Sequence, residues 1–349
     1  MWLTWVSRLI QLESSQVAAW IHSRDLFQRG KKRKMYQPDD EYDEVASDAD
    51  LLVDDVDEDH AAYLHHQLMQ QRILLQHLEA VPELVRNFIA YLHRMLAERP
   101  SSPSQQQQHT TELQTLYEQT WPKLTEKYYQ DTPWPEPEVI APLANHDELF
   151  LVLYRELYFR HIYDKLQPSL EHRFLSFENY CTLFNTILNA EEPVDMELPN
   201  PWLWDIVDEF VYQYQSYCRY RDQVAKLRQQ HLQTNNQVPE EITEVCSLLH
   251  TNPQIWNTYS VLNVLYSLRE KVSMNEQLRV MQAGGDLNAA AEAVGNAFAG
   301  KTLYRMLGYF SMVSLVRIHC LFGDYMSALD HMKYVDLVKK VLRLRLFSR

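Results

Sequence analysis

The most explicit chemical pattern in the chain is Gly295-Asn-Ala-Phe-Ala-Gly300-Lys301-Thr302, which matches G-x-x-x-x-G-K-[ST] letter for letter. In a phosphate loop the backbone N–H groups cradle phosphates, the lysine meets the terminal phosphates, and the threonine holds Mg²⁺. That geometry needs a buried strand leading into the loop and a helix leading out. A helical pattern does follow. What precedes is Asn288-Ala-Ala-Ala-Glu-Ala-Val294, a helix-forming run, and the four middle residues contain no glycine. No strand–helix alternation is available to build a parallel sheet. The sequence therefore favours a helix boundary at Gly300, and a nucleotide-binding enzyme acting through Gly295–Thr302 stands as the alternative.

Other constellations have a chemical and a structural reading. His65, His66 and His77 could approach a metal, but no H-E-x-x-H pattern supports them, and solvated helix faces are preferred. Asp205, Asp208 and Glu209 share one helical face. Paired carboxylates do acid–base work where burial separates their pKa values. Beside Trp202, Trp204 and Phe210, the preferred reading is the solvated edge of a packed helix. Arg155, Arg160 and His161 lie among Tyr154, Tyr158, Phe159 and Tyr163 and could stack RNA bases. Core aromatics with snorkelling arginines are the preferred reading. No nucleophile–base–orienter set emerges, so no catalytic residue, cofactor or metal ligand is assigned.

The elements that must carry these residues are helical. After Gly30 there is no glycine until Gly284, and then six follow by Gly323. A chain without glycine over that length lacks the positive-φ turns of hairpins and phosphate crevices. The net charge is −14, unevenly spread. Residues 1–38 carry +5, residues 39–60 carry −12, and the rest carries −7. The acidity thus belongs to an arm expected to be disordered, and a broad polyanion-binding face is disfavoured. Cys181, Cys218, Cys246 and Cys320 are far apart, as expected of a metal-free chain in a reducing compartment. No run reaches the roughly 18 apolar residues of a membrane span.

Helical periodicity begins near Ala61 and resumes from Pro82 to Glu98. Ser101-Ser-Pro-Ser-Gln-Gln-Gln-Gln108 reads as a low-complexity linker, and a helix over 111–130 is broken or restarted at Pro122. Residues 147–166 form a helix apolar nearly all round, with Asn145 as N-cap and Glu148 as its capping-box partner. Another helix covers 170–189. Asn200-Pro201 and Asn252-Pro253 each read as an N-cap followed by proline at the first helical position, opening helices that bear Trp202, Trp204 and Trp256. Residues 229–241 read as a polar, mobile break. Beyond Ala283 come a short helix over 287–298 and a long one over 301–320. Then follows Phe322-Gly323-Asp324-Tyr325-Met-Ser-Ala328, a tetratricopeptide-like corner with Gly323 turning and Tyr325 and Ala328 packing. One repeat cannot bury its own face.

Several ordered blocks resemble the subunit L family of eukaryotic translation initiation factor 3. They are Thr132-Pro-Trp-Pro-Glu136, Leu153-Tyr-Arg-Glu-Leu-Tyr-Phe-Arg-His-Ile-Tyr163, Glu197-Leu-Pro-Asn-Pro-Trp-Leu-Trp-Asp-Ile-Val-Asp-Glu-Phe210, Asn252-Pro-Gln-Ile-Trp-Asn257 and Leu303-Tyr-Arg-Met-Leu-Gly-Tyr-Phe-Ser311. The similarity runs from about Val81 to Leu337. It implies a non-catalytic helical-repeat subunit that normally ends in a PCI module. The module's winged helix is expected to be missing here.

The resemblance further implies a cytoplasmic scaffold that supports preinitiation-complex assembly and mRNA recruitment. Its partners would be PCI and MPN sibling subunits and the small ribosomal subunit, with mRNA reached only indirectly, no membrane and no small-molecule substrate. Other PCI-type scaffolds, of the proteasome-lid or signalosome kind, are the nearest alternative. The expected fold is an all-α helical-repeat solenoid with a disordered acidic arm. Its expected divisions are a basic stub and arm over 1–60, N-terminal helices over 61–100, a linker over 101–110, an aromatic-rich helical domain over 111–282, and the opening of a repeat array over 283–349. Trp202, Trp204, Trp256, Tyr309, Gly323, Tyr325 and Ala328 are the expected packing residues.

Overall fold

The computed structural model describes Met69, residues 72–234 and residues 238–335. The basic stub, the acidic arm, His65, His66 and the basic run 339–349 lie outside these residues. Among the described residues every regular element is helical, and no strand forms. The fold is an all-α helical array.

Residues 72–80 are helical, and α1 (Glu83–Ala97) follows after a break at Val81. Val85, Phe88, Ile89, Leu92 and Met95 form its buried stripe at helical spacing. The stretch expected as a linker is instead the start of α2 (Pro103–Thr115). Ser102 caps it by accepting from Gln105 N, and Pro103 takes the first position, where its missing N–H costs nothing. Glutamine is itself a good helix former.

A π-helical turn, Leu116–Thr120, joins α2 to α3 (Trp121–Tyr128) just before Pro122. The proline-rich segment after α3 is extended until α4 (Pro137–Ile140) and a 3-10 turn, Ala141–Ala144. Trp134 is buried against Trp121, their rings stacked 3.8 Å apart.

Helix α5 (Glu148–Lys165) is buried almost all round, as its composition requires. Its cap is Asp147, which accepts from Leu149 N and Phe150 N, whereas Asn145 turns the chain at φ 51°. The acid nearer the helix wins because its carboxylate reaches two orphan N–H groups. Helix α6 (Leu170–Leu188) packs on α5 and begins with a capping box between Ser169 and His172.

The long α7 (Asn200–Gln233) starts one residue earlier than expected, with Pro199 rather than Asn200 at the cap. It continues through part of the expected polar break, and α8 (Glu240–Thr251) resumes beyond it. Asn252-Pro253 does not open a helix. Asn252 terminates α8, and Trp256 sits in a left-handed turn at φ 49° before Asn257 caps α9 (Thr258–Lys271). Burial holds that conformation: Trp256 packs against Phe177, Tyr180 and Phe210.

Helices α10 (Met274–Gln282) and α11 (Leu287–Val294) form a small pair. Helix α12 (Thr302–Phe322) packs on both α7 and α9. Gly308 permits its approach to α9: a Cβ there would meet Val272 Cγ2 at 2.6 Å and the Leu268 carbonyl at 3.2 Å. Gly323 then turns the chain at φ 74°, with Asp324 N bonded to His319 O, and α13 (Tyr325–Met332) folds back on α12.

A polar relay locks this last corner. Arg269 has only donors, so its Nη1 donates to His331 Nδ1 at 2.7 Å. His331 Nε2 then donates to the Tyr266 hydroxyl at 3.2 Å. Tyr266 in turn donates to His319 Nε2 at 2.8 Å, and His319 Nδ1 donates to Asp324 at 3.1 Å. Each donor in the relay thus meets an acceptor.

Candidate functional site

The π turn sets Tyr117 facing α7. Its ring stacks on Trp202 at 5.0 Å and 7°, and its hydroxyl donates to Asp205. Arg160, one turn beyond Glu156 on α5, reaches the same place. It donates to the Tyr117 hydroxyl and lies 3.3 Å from Asp205. Glu156 is fully enclosed. Its Oε1 accepts from Arg160 at 3.1 and 2.5 Å and from Tyr180 at 3.4 Å, and its Oε2 accepts the Trp202 indole N–H at 3.2 Å. A buried carboxylate survives only with such partners. Burial opposes the Arg160 charge, but Glu156 more than compensates and holds it firmly protonated. Burial raises the Tyr117 hydroxyl, so it stays a donor.

Glu209 lies at the edge of this network and is less fully satisfied, with Gln213 of its own helix beside its carboxylate. Its Oε2 is buried and has no hydrogen-bond partner. Burial pushes its pKa up to about 7, against the pull of Arg160 and with a further push from Glu156. The carboxylates at 205, 208 and 209 therefore divide. Asp205 is held by Tyr117 and Arg160, Asp208 pairs with Arg317 at 2.7 Å, and Glu209 is half-buried and poised near neutrality. The solvated edge expected of this face is thus corrected at Glu209, because α5 packs across it. The Glu156–Arg160–Tyr117 network was not anticipated either. Its signal in sequence was a Glu and an Arg four apart inside a helix otherwise apolar all round.

This network floors an open cleft of about 1980 Å³. One wall is α2, the π turn and α3. The other is the end of α5, the connector 194–198 and the starts of α7 and α12. Seven carboxylates line it against three cations, Arg160, Lys165 and Lys301. Trp121 and Trp204, each half-buried, add aromatic faces.

The loop resembling a phosphate site ends on this cleft but is built differently. Helix α11 precedes it, and Gly295 caps that helix at φ 69°. Asn296 Oδ1 accepts from Phe298 N at 2.9 Å and Ala299 N at 2.8 Å, and Lys301 N donates to Phe298 O. The amides of Phe298, Ala299 and Lys301 are thus already engaged within the loop. Lys271 covers Phe298 at 3.9 Å, and Lys301 and Thr302 stand exposed.

The aromatics that could have stacked bases are core residues, as preferred: Tyr154, Tyr158, Phe159 and Tyr163 are buried, and Arg155 pairs with Glu138. His161 bonds the Thr132 carbonyl. His77 is exposed, and among the described residues no three His, Cys, Asp or Glu are placed to hold a metal. Among them too, no helix is long and apolar enough to cross a membrane. Of the packing residues, Trp202, Trp256 and Ala328 are buried, Trp204 and Tyr309 are half-buried, and Trp204 meets Phe310 edge-on at 5.2 Å. Tyr325 is a correction: it is 64% exposed, beside exposed Met326 and Leu329, because α12 occupies only the opposite face of α13.

Residues 172–348 match the family model described as RNA polymerase I-associated factor PAF67. The chain is 43% identical over 320 residues to eukaryotic translation initiation factor 3 subunit L of Homo sapiens, covering 87% of this chain and 52% of the relative. It is 45% identical over 278 residues to the subunit of that name from Bos taurus, covering 76% and 46%. For the Danio rerio protein of that name the identity is 43% over 278 residues, covering 76% and 45%. The chain spans about half the length of the curated relatives it matches. With a family model over half its length and the resemblance of its helical blocks matched by these relatives, the chain belongs to the PAF67 family, that of subunit L of eukaryotic translation initiation factor 3.

Proposed function

We propose that this chain is a non-catalytic scaffold subunit of the eukaryotic translation initiation factor 3 complex. It presents helical surfaces to sibling PCI and MPN subunits in the cytoplasm and supports preinitiation-complex assembly on the small ribosomal subunit. mRNA is engaged only indirectly. The observation that carries this reading is the identity of 43–45% to relatives named as subunit L. The geometry is in keeping with it: the most elaborate polar cluster, around Glu156, consists of groups that satisfy one another inside a helical core. Residues 283–349 are proposed as the opening of the repeat array.

Affinity purification of the tagged 349-residue chain from eukaryotic cells tests the proposal. Initiation factor 3 subunits should be the main co-purifying proteins. Recovery of proteasome-lid or signalosome subunits in their place would overturn it.

A further inference from the structure

The cleft beneath α2 and α3 is too large for a small-molecule pocket, which typically encloses roughly 300–1,000 Å³. At about 1980 Å³ and partly open to solvent, it fits a polypeptide. Its lining has four more carboxylates than cations. Among those cations, Arg160 is already neutralised by Glu156 and Asp205, and among the carboxylates Asp195 is paired with Arg99, which stands outside the lining. The N-termini of α7 and α12 also open here without side-chain caps. Each contributes about half a positive charge, so together they offset roughly one carboxylate and leave the cleft negative. Such a surface repels the phosphates of RNA and attracts lysine and arginine. The half-buried faces of Trp121 and Trp204 suit the stems and charges of those side chains.

We propose that this cleft holds an extended, lysine- or arginine-bearing segment of a partner protein, with one cationic side chain seated beside the half-buried Glu209 carboxylate that lines it. A seated ammonium or guanidinium would favour the ionised carboxylate. Since Glu209 titrates near pH 7 in the free chain, binding releases a proton below that pH. The groups facing Glu209 are Arg160, Glu156 and Tyr163 from α5, Tyr180 from α6, and Asp208 and Gln213 from its own helix. The proposal rests on the scaffold reading but fails separately from it: co-purification decides the first, and peptide binding to the isolated chain decides the second.

Fluorescence anisotropy of the full chain with a labelled peptide alternating lysine and alanine tests it, with a glutamate–alanine peptide and oligouridine as competitors. Saturable binding of the lysine peptide is expected, about tenfold weaker in Glu209→Gln and in the exposed double variant Glu118→Gln/Glu126→Gln. Affinity should rise between pH 6 and pH 8 in the parent and stay flat in Glu209→Gln. Absence of saturable binding, equal affinity in all three chains, or tighter binding of oligouridine overturns the proposal. The rim variant leaves the core untouched, so its result stands even if Glu209→Gln fails to fold.

Discussion

The indole N–H of Trp256, at the end of the α8–α9 connection, donates to the carbonyl of Arg173 on α6 at 2.8 Å. A residue in a left-handed turn thereby ties two elements that are far apart in sequence. Trp256→Phe keeps most of the packing and removes this bond, but the Arg173 carbonyl still accepts from the Ser176 hydroxyl at 3.1 Å, so the loss should be about 0.5–1.5 kcal/mol. Trp256→Ala also opens a cavity among Phe177, Tyr180 and Phe210 and should cost about 3–5 kcal/mol. Urea denaturation of the two variants checks the order; no loss in Trp256→Phe would show the hydrogen bond to be irrelevant, and equal losses would show the same of the packing.

Glu156 is expected to be the costliest single polar site. Glu156→Gln leaves Arg160 short of a charge partner in the core and should destabilise by about 3–5 kcal/mol. Adding Arg160→Met to the Glu156→Gln variant should recover part of that loss, because the stranded charge is gone. A double-mutant cycle read by chemical denaturation gives the coupling; strict additivity would contradict the network.

Gly308 sets two effects against each other. Alanine gains up to about 1 kcal/mol of helix propensity over glycine. The added Cβ would overlap Val272 and press on the Leu268 carbonyl, and crowding of this kind costs about 1–3 kcal/mol. A backbone atom cannot turn aside as a side chain can, so Gly308→Ala should lower the melting temperature. A rise would mean that α9 and α12 separate easily.

His331 gives the fold an acid limit. Burial first, then Arg269 and His319, lower its pKa from 6.5 to about 4. The folded chain thus prefers the neutral imidazole. Its contribution to stability is complete above pH 6.5 and is lost as pH falls toward 4. Melting temperatures measured between pH 7 and pH 4 should fall, and His331→Gln should flatten part of that fall. An unchanged slope would place the acid sensitivity elsewhere.

Neither ATP nor GTP should bind the chain at micromolar concentration, because a helix rather than a strand leads into the loop before α12 and its Phe298, Ala299 and Lys301 amides are already engaged. Calorimetric titration with each nucleotide and Mg²⁺ checks this. Binding abolished by Lys301→Ala would restore the phosphate-loop reading.

What could be read from sequence was whatever a single segment decides. The all-round apolarity of 147–166 dictated a buried helix, and Gly323 marked a corner only glycine makes cheaply. Where two local signals compete, the sequence is ambiguous. Asn145 and Asp147 both suit a cap, and the Ser/Gln run suits a loop or a helix. Glu209 was illegible for another reason. Its neighbours come from α5 and its own helix, its surroundings also include α2 and α3, and no spacing in the chain records their meeting. Tyr325 was misjudged because an aromatic beside a turn packs only if a further element covers it.

The π turn at 116–120 makes this a place where chain length is counted. It holds one residue more than an α-helical turn would need. Removing one would rotate everything before it by about 100° relative to α3. Tyr117 would swing off Trp202, and α2 would present a different face to the cleft. Variation within this fold can therefore exchange side chains along α2 freely, while an insertion or deletion between Leu116 and Thr120 would re-aim a whole wall.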